Sequence, residues 1–335
     1  MPWSDLAVLA GIALVAALVS AAGSAWAIRY AHGNGLLDAP GQRRSHTVET
    51  PRGGGIGIVL ASLLAIVAIS MHAGVPSSWW LIAAGLLLVA GIGWMDDHRA
   101  LPALPRLGVH ALAALLLAAA LYLLGAGTAI CALAFILALG MTNAWNFMDG
   151  INGLAASQAF LCALAVAMLA AFDAPSLGIA VAVAGACLGF LPFNFPRARV
   201  FLGDVGSGAL GYLVAVLVAL GFHATPLNDW PLLLLPPLAI LIDSGLTLLL
   251  RVRRGERWWQ AHAQHAYQQL SRRVGHARVT LGYGLWTITV IGVMLSLQGR
   301  LGRPGWVGLM ALLFCALAAT LAWGWLRRYA GDSKG

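Results

Sequence analysis

Long stretches of apolar residues recur along almost the whole chain, and they constrain its fold more than any other feature. A helix needs roughly 20 mostly apolar residues to cross a bilayer, and the hydrocarbon core excludes unpaired backbone groups. Eleven stretches meet this description, at about 5–28, 54–72, 79–95, 107–124, 127–142, 153–172, 176–193, 207–222, 231–250, 280–297 and 305–326. The sequence therefore predicts an all-α, polytopic integral membrane protein with about eleven transmembrane helices, forming a single multi-pass domain over residues 1–335.

The composition excludes several other classes of protein. Only 10% of the residues are charged and 60% are hydrophobic, whereas soluble domains carry roughly a quarter charged residues. This excludes a disordered chain and a free nucleic-acid binder, and no nucleic-acid partner is expected. The same composition excludes a secreted disulfide scaffold. The cysteines lie within apolar stretches without zinc-site spacing, and we expect them to be packing residues. These are Cys131, Cys162, Cys187 and Cys315.

Basic residues are distributed unevenly between the two predicted sides. The loops after odd-numbered stretches and the C-terminal tail hold all but Arg300 and Arg303 of the 20 arginines and lysines. Because basic loops stay in the cytosol, we expect a bacterial inner (cytoplasmic) membrane protein with a periplasmic N-terminus and a cytosolic C-terminus. The first stretch contains Ala25-Trp26-Ala27, which resembles a signal-peptidase site. No basic residue precedes it and the stretch is long, so we expect a retained helix.

Nearly all side chains capable of chemistry lie in five predicted cytosolic loops. The loops span about 30–53, 96–106, 143–152, 194–206 and 251–279. A transporter would be expected to hold ionisable groups near the bilayer midplane, often in repeated halves. The sequence instead predicts an active site on the cytosolic loops, where a water-soluble and a lipid-borne reactant can meet.

Two adjacent carboxylates, Asp96 and Asp97, end the third stretch. They repel one another unless a cation or a base lies between them, so they are candidate catalytic groups. The alternative is a solvated helix end paired with Arg99. Arg106, nine residues beyond Asp97, either faces the same pocket or binds lipid headgroups.

The segment after the fifth stretch carries amides and an acid at helical spacing. Asn143, Asn146 and Asp149 are three residues apart and share one helical face, and Asn152 follows between glycines. Their oxygens are hard ligands suited to Mg²⁺ that also holds substrate phosphates. Helix capping would explain a single asparagine but not the whole set.

Asp204 lies among glycines at the start of the eighth stretch. Glycines permit a close approach of the backbone to phosphate or metal, although Gly-Asp-x-Gly is also an ordinary turn. Asp243 lies inside the ninth stretch, about 12 Å along a helix from its end. Such a carboxylate is a functional candidate or a partner for a neighbouring helix.

Two further segments offer candidates for binding anionic groups. His262 and His265 in the last loop would share a face if the segment were helical. Arg44 and His46 precede Arg52 and a run of glycines, a pattern that suits an anion site. Close helix packing and an orientation signal explain the second segment equally well. Membrane anchoring is the alternative for Arg251, Trp258 and Trp259.

Taken together, these motifs resemble the polyprenyl-phosphate N-acetylhexosamine-1-phosphate transferases of glycosyltransferase family 4. The resemblance is carried by Asp96-Asp97, the Asn-x-x-Asn-x-x-Asp-Gly segment from Asn143, and Phe-x-Gly-Asp ending at Asp204. It implies that a UDP-N-acetylhexosamine donates its sugar-1-phosphate to undecaprenyl phosphate, leaving a lipid diphosphosugar and UMP. Such a reaction initiates O-antigen, lipopolysaccharide or other cell-envelope glycans.

The resemblance also implies roles for individual residues. Mg²⁺, or Mn²⁺ in its place, would be held by Asp204 and Asn146 with Asp149 close by. Asp96 or Asp97 would prepare the lipid phosphate, and Asp149 is a third catalytic candidate. Substrate binding is expected from Arg44, His46, Arg52, Arg106, Asn143, Asn152, His262 and His265. Direct attack by the lipid phosphate and a covalent aspartyl intermediate both remain open.

The sequence of the last loop favours a glycan-initiating enzyme. The main alternative is the peptidoglycan enzyme, phospho-N-acetylmuramoyl-pentapeptide transferase. That enzyme differs from the His-x-x-His-x-Tyr-Gln pattern of this loop, and it usually has Asp at the position of Asn152. Relatives in this branch usually have Arg at the position of Ala263, so one phosphate contact that the resemblance implies has no counterpart there, and Arg257 and Arg272 are the candidates to replace it. A lipid-linked sugar flippase and an inactive scaffold are the alternatives from other classes. The donor sugar and the choice between monomer and homodimer stay open.

Overall fold

Thirteen α-helices make up most of the part of the chain that the computed structural model describes. The described residues are 6–38, 49–73, 78–169, 173–257, 259–260, 262–298 and 304–331. The helices are α1 (Leu6–Asn34), α2 (Ile56–Ala73), α3 (Ser78–His98), α4 (Ala103–Leu123), α5 (Thr128–Met148), α6 (Leu154–Leu169), α7 (Ala174–Asn194), α8 (Asp204–Ala224), α9 (Trp230–Leu233), α10 (Leu238–Arg253), α11 (Ala266–Val274), α12 (His276–Leu297) and α13 (Gly305–Gly331). Two short strands, β1 (Leu37–Asp38) and β2 (Thr50–Pro51), pair antiparallel, and a 3₁₀ turn covers Leu227–Asp229.

The structure confirms an all-α, multi-pass membrane protein. Among the described residues, eight helices are long and apolar enough to cross a membrane, or nine if the pair Leu227–Leu233 and Leu238–Arg253 forms one broken span. The two parts of that pair are bent by 72°. Pro236 and Pro237 lie at the break, where two residues without a backbone N–H interrupt helical hydrogen bonding. Two other apolar helices are shorter, so the predicted count of eleven spans stays a prediction.

Helix α8 lies at the centre of the bundle. Every residue from Val205 to Phe222 is buried, as expected for a helix that is apolar on all sides. Glycines bring its backbone against its neighbours: a Cβ on Gly211 would lie 2.3 Å from the carbonyl oxygen of Met141 in α5. Because α8 is enclosed in this way, the position of its first residue, Asp204, is set by the surrounding helices.

The contact between the turn before α2 and the start of α8 depends on glycine. A Cβ on Gly55 would lie 2.2 Å from the Cα of Gly206, whereas one on Gly91 in α3 would meet nothing within 4 Å. We expect Gly55→Ala to lower the free energy of unfolding by about 1–3 kcal/mol through overpacking. Gly91→Ala is the matched control and should not destabilise the protein. Thermal unfolding of both variants in detergent measures the difference, and equal midpoints would contradict this packing argument.

Four helix termini meet at one end of the bundle, which we call the site end. Helices α3 and α5 end there, and α4 and α8 begin there. The segment after β2 is joined to the residues before α8, because the N–H of Phe201 donates to Pro51 O and the N–H of Gly54 donates to Phe201 O. These bonds hold the start of α8 against the start of α2.

Candidate active site

The two adjacent carboxylates at the end of α3 have different surroundings. The Asp97 carboxylate accepts the backbone N–H groups of Asp204 at 3.0 Å and Val205 at 3.1 Å. The first N–H groups of a helix have no partner within it, so Asp97 caps α8 from another helix. Gly203 has φ +75° and a Cβ there would lie 2.6 Å from Asp97 Oδ2, so this position requires glycine. Asp97 therefore positions Asp204.

The other carboxylate, Asp96, pairs with Arg106 from the first turn of α4. It also accepts the backbone N–H of Leu101. The same guanidinium lies 3.6 Å from Asp204 Oδ2. Arg106 therefore lies between two carboxylates, one from α3 and one from α8.

The polar face predicted for the end of α5 is present. Asn146 Nδ2 donates to Asp204 Oδ1 at 2.8 Å and to Ser207 Oγ at 3.2 Å. Asp149 follows the last residue of α5, and its carboxylate accepts no hydrogen bond from any residue that the structure describes. Burial, and then the charges of Asp204 and Asp97, raise the pKa of Asp149 well above its ordinary value. Asp149 is thus an uncompensated carboxylate beside two others.

Asp96, Arg106, Asn146, Asp149 and Asp204 line one cavity at the site end, with a volume of about 740 Å³, whereas Asp97 lies behind Asp204 and is not part of the lining. One part of the lining, which we call the carboxylate wall, comes from α3, α4, α5 and α8. The rest comes from the turn before α4, from the segment before α11 and from the first turn of α11. Polar side chains in the lining are Asp96, Arg106, His110, Asn143, Asn146, Asp149, Asp204, Gln260, His262, His265, Tyr267 and Gln268, with Trp259 beside them. The cavity brings together groups from the second, third, fourth and fifth of the predicted loops, with Asp204 from the fourth.

Much of the predicted loop sequence is helical in the structure. Residues 96–98, 103–106, 143–148, 204–206 and 266–274 belong to helices. The helices continue past the apolar stretches because intrahelical hydrogen bonding does not depend on the side chain being apolar. The chemistry-bearing residues are therefore held at helix ends rather than on long loops.

The segment that holds His262 and His265 is not helical, so the shared helical face considered for them does not form. His262 lies in irregular backbone and His265 is the N-cap of α11, where Gln268 completes a capping box. The two rings are nevertheless 4.9 Å apart because the loop folds back. Both line the cavity.

Among the described residues, several other candidates are not part of the cavity lining. Asn152 donates to the carbonyl of Pro196 at 3.1 Å, and Arg52 pairs with Asp38 beside β1. Arg44 and His46 lie outside the described residues. Asp243 is buried and bonded to neighbouring helices, which supports the pairing alternative.

Sequence reasoning missed His110 as a cavity residue. His110 is one helical turn beyond Arg106 on α4, so the spacing of four could have placed both on the same face. It is 8% exposed, and its Nδ1 has no hydrogen-bond partner among the described residues. For Tyr267 and Gln268, the sequence showed only the His-x-x-His-x-Tyr-Gln pattern, which did not predict that they line a site.

Comparison with known proteins identifies the family. Residues 79–222 match the model of glycosyl transferase family 4. A decaprenyl-phosphate N-acetylglucosaminephosphotransferase of Mycolicibacterium smegmatis is 32% identical over 324 residues, which cover 83% of this chain and 79% of that protein. The protein of the same name from Mycobacterium tuberculosis is 31% identical over 312 residues, covering 78% and 76%. The chain belongs to glycosyl transferase family 4.

A transferase of another name is also similar to this chain. A phospho-N-acetylmuramoyl-pentapeptide-transferase of Heliobacterium modesticaldum is 29% identical over 326 residues, covering 86% of this chain and 97% of that protein. The names of these relatives confirm the predicted resemblance to polyprenyl-phosphate N-acetylhexosamine-1-phosphate transferases. The chain is therefore a membrane-embedded glycosyl phosphotransferase. The family match spans α3 to α8, which carry the carboxylate wall of the cavity.

The carboxylate wall has the donor chemistry of a magnesium site. Among the described residues, no group of three or more His, Cys, Asp or Glu side chains is arranged to hold a metal ion by itself. Mg²⁺, however, is usually bound by one or two carboxylates together with waters and substrate phosphates. Asp204, Asn146 and the uncompensated Asp149 fit that requirement.

Proposed function

We propose that this family 4 enzyme transfers N-acetylhexosamine-1-phosphate from a UDP-sugar to undecaprenyl phosphate, or to another polyprenyl phosphate. The products are a lipid diphosphosugar and UMP, and the reaction initiates O-antigen or other cell-envelope glycans. The observation that most supports this proposal is the cavity at the site end, which is lined by Asp204, Asn146, Asp149 and Arg106. The cytosolic location of this end follows from the distribution of basic residues and belongs to the same proposal.

The main demand of this reaction is that two anionic phosphates approach each other. Arg106 supplies a fixed positive charge at the cavity wall, and Asp96 holds its guanidinium in place. A planar guanidinium can bind phosphate oxygens through two parallel hydrogen bonds. We therefore assign the diphosphate of the donor to Arg106.

The second source of positive charge would be Mg²⁺ held by Asp204, Asn146 and Asp149. When bound, it would neutralise charge on the reacting diphosphate and on the leaving UMP. The raised pKa of Asp149 supports the assignment, because a carboxylate crowded by two others gains most from a nearby cation. Mn²⁺ has similar ligand preferences and is expected to substitute.

The bond changes require little proton transfer. An oxygen of the lipid phosphate attacks the phosphorus that carries the sugar, a new P–O–P bond forms, and the bond to the UMP oxygen breaks. A phosphate monoester has a second pKa of about 6, so the attacking group is mostly dianionic at neutral pH. This chemistry needs charge neutralisation more than a strong base. It is compatible with Asp97, whose two oxygens already accept backbone hydrogen bonds.

A reconstituted assay tests the proposal. Purified protein in nanodiscs, undecaprenyl phosphate and Mg²⁺ are mixed with UDP-N-acetylhexosamines carrying a labelled sugar. We expect release of UMP together with transfer of label into the organic phase. Chelation with EDTA should abolish turnover, and excess Mg²⁺ or Mn²⁺ should restore it, because the cation would neutralise the reacting diphosphate and the uncompensated Asp149.

Control donors and a flux measurement separate the alternatives. UDP-N-acetylmuramoyl-pentapeptide is included because of the similarity to the Heliobacterium modesticaldum protein. Turnover with that donor alone would replace the glycan-initiating proposal with the peptidoglycan reaction. Absence of UMP with every donor, combined with passage of a lipid-linked sugar across proteoliposomes, would favour a flippase.

A further inference from the structure

The end of α5, which carries Asp149, is held by a side chain from a distant part of the chain. The last four carbonyl groups of a helix have no partner within that helix. In α5 the carbonyl of Phe147 accepts a hydrogen bond from the hydroxyl of Tyr267 at 2.9 Å. Tyr267 is fully buried and belongs to the first turn of α11. One carbonyl at the end of α5 is therefore paired by a side chain of α11.

A second contact of Tyr267 lies on the C-terminal side of Asp149, at Gly150. A Cβ on Gly150 would lie 2.3 Å from the hydroxyl oxygen of Tyr267 and 3.1 Å from Nε2 of Gln268. The backbone after α5 and the first turn of α11 are thus as close as a glycine allows. Asp149 lies between the two positions, Phe147 and Gly150, that Tyr267 contacts.

Tyr267 is itself anchored to the C-terminal helices through the buried carboxylate of Asp243. That carboxylate accepts the backbone N–H groups of Ala266 and Tyr267 at 2.9 and 3.0 Å. It also accepts the hydroxyl of Tyr283 at 2.7 Å and the indole N–H of Trp323 at 3.1 Å. The start of α11 is therefore joined to α10, α12 and α13.

We propose that Tyr267 is a positioning residue that holds Asp149 towards Asp204 and Asn146 by fixing the end of α5. The inference rests on the proposed function, in which those three residues hold the divalent cation. Burial, with Asp243 and Asp149 nearby, raises the pKa of Tyr267 well above its usual range. The hydroxyl consequently keeps its proton and remains a donor to Phe147.

The test compares Tyr267→Phe with a matched loss of hydroxyl, Tyr212→Phe. Tyr212 is also fully buried, its hydroxyl donates to the carbonyl of Ile82 at 3.3 Å, and it also packs against a glycine, Gly85. It lies two turns inside α8, outside the cavity lining. The measurements are kcat, KM for the UDP-sugar, the thermal unfolding midpoint, and Mn²⁺ affinity by EPR without substrates.

We expect Tyr267→Phe to lower kcat about tenfold and to weaken Mn²⁺ binding several-fold, with KM changed less than about twofold. Tyr212→Phe should leave kcat and Mn²⁺ affinity unchanged, while both variants lose a similar, small amount of thermal stability. Equal kcat and Mn²⁺ affinity in the two variants would overturn the inference. If the wild-type protein transfers no sugar phosphate from any donor, the proposed function fails, and the Mn²⁺ comparison still decides whether Tyr267 positions the cation site.

Discussion

Replacement of Asp204 by asparagine is expected to lower kcat/KM by about 10³-fold or more. The change keeps the shape of the side chain and its place at the start of α8, but removes the negative charge that would bind Mg²⁺ and that faces Arg106. Loss of one preorganised electrostatic contact commonly costs about 10²–10³ in rate, and loss of a metal ligand costs more. The assay is UMP release at saturating undecaprenyl phosphate. The Mg²⁺ concentration giving half-maximal rate should rise as well.

Asp173→Asn is the matched control for this experiment. Asp173 caps α7 by accepting the backbone N–H of Ser176 at 2.9 Å, so the same substitution is made at another helix N-terminus. Helix α7 begins at the end of the bundle opposite the site end, and its cap should not affect activity. A fully active Asp204→Asn variant with unchanged Mg²⁺ dependence would refute the metal role of Asp204.

Replacement of Asp97 by alanine should damage stability and activity together. The change leaves the backbone N–H groups of Asp204 and Val205 without their buried acceptor. Loss of a helix cap costs about 0.5–2 kcal/mol, and burying an unsatisfied donor adds about 1–3 kcal/mol. We expect the unfolding free energy to fall by about 2 kcal/mol or more, and kcat to fall about 10²-fold as Asp204 shifts. Thermal unfolding and UMP release report the two effects.

Asp97→Asn separates positioning from proton transfer. The amide retains one acceptor oxygen for the α8 N-terminus, so stability and activity should both lie between those of the wild type and the alanine variant. A group acting only as a base would behave differently. In that case both variants would be equally inactive, and neither would change the unfolding midpoint.

The candidate site was partly predictable because helical spacing is a local property. Asn143 and Asn146 share a face of α5, Asp149 directly follows the helix, and all three line the cavity, as the spacing of three predicted. The different surroundings of Asp96 and Asp97 could not be predicted in this way. Neighbouring residues on a helix point about 100° apart, and only the packing of α4 and α8 around α3 decides which one faces the cavity.

The segment before α11 shows the limit of spacing arguments more clearly. A spacing of three would place His262 and His265 on one face only if the segment were helical; the backbone there is irregular, and the two rings are nevertheless 4.9 Å apart. Arg251 is buried and donates hydrogen bonds to the carbonyls of Arg257 and Gln260, so it holds the backbone of that segment in place. These buried hydrogen bonds do not fit membrane anchoring, the alternative considered for Arg251.

The sequence by itself determined the environment and the class of protein. Apolar stretches of membrane-spanning length require helices, because a bilayer offers no partner for free backbone groups, and the family motifs are contiguous in the chain. Tertiary structure alone decided how α3, α4, α5, α8 and α11 bring their ends to one cavity, and which carboxylate there remains uncompensated. Those outcomes depend on contacts between residues more than 100 positions apart, such as Asp97 with Asp204 and Tyr267 with Phe147, and no local pattern encodes them.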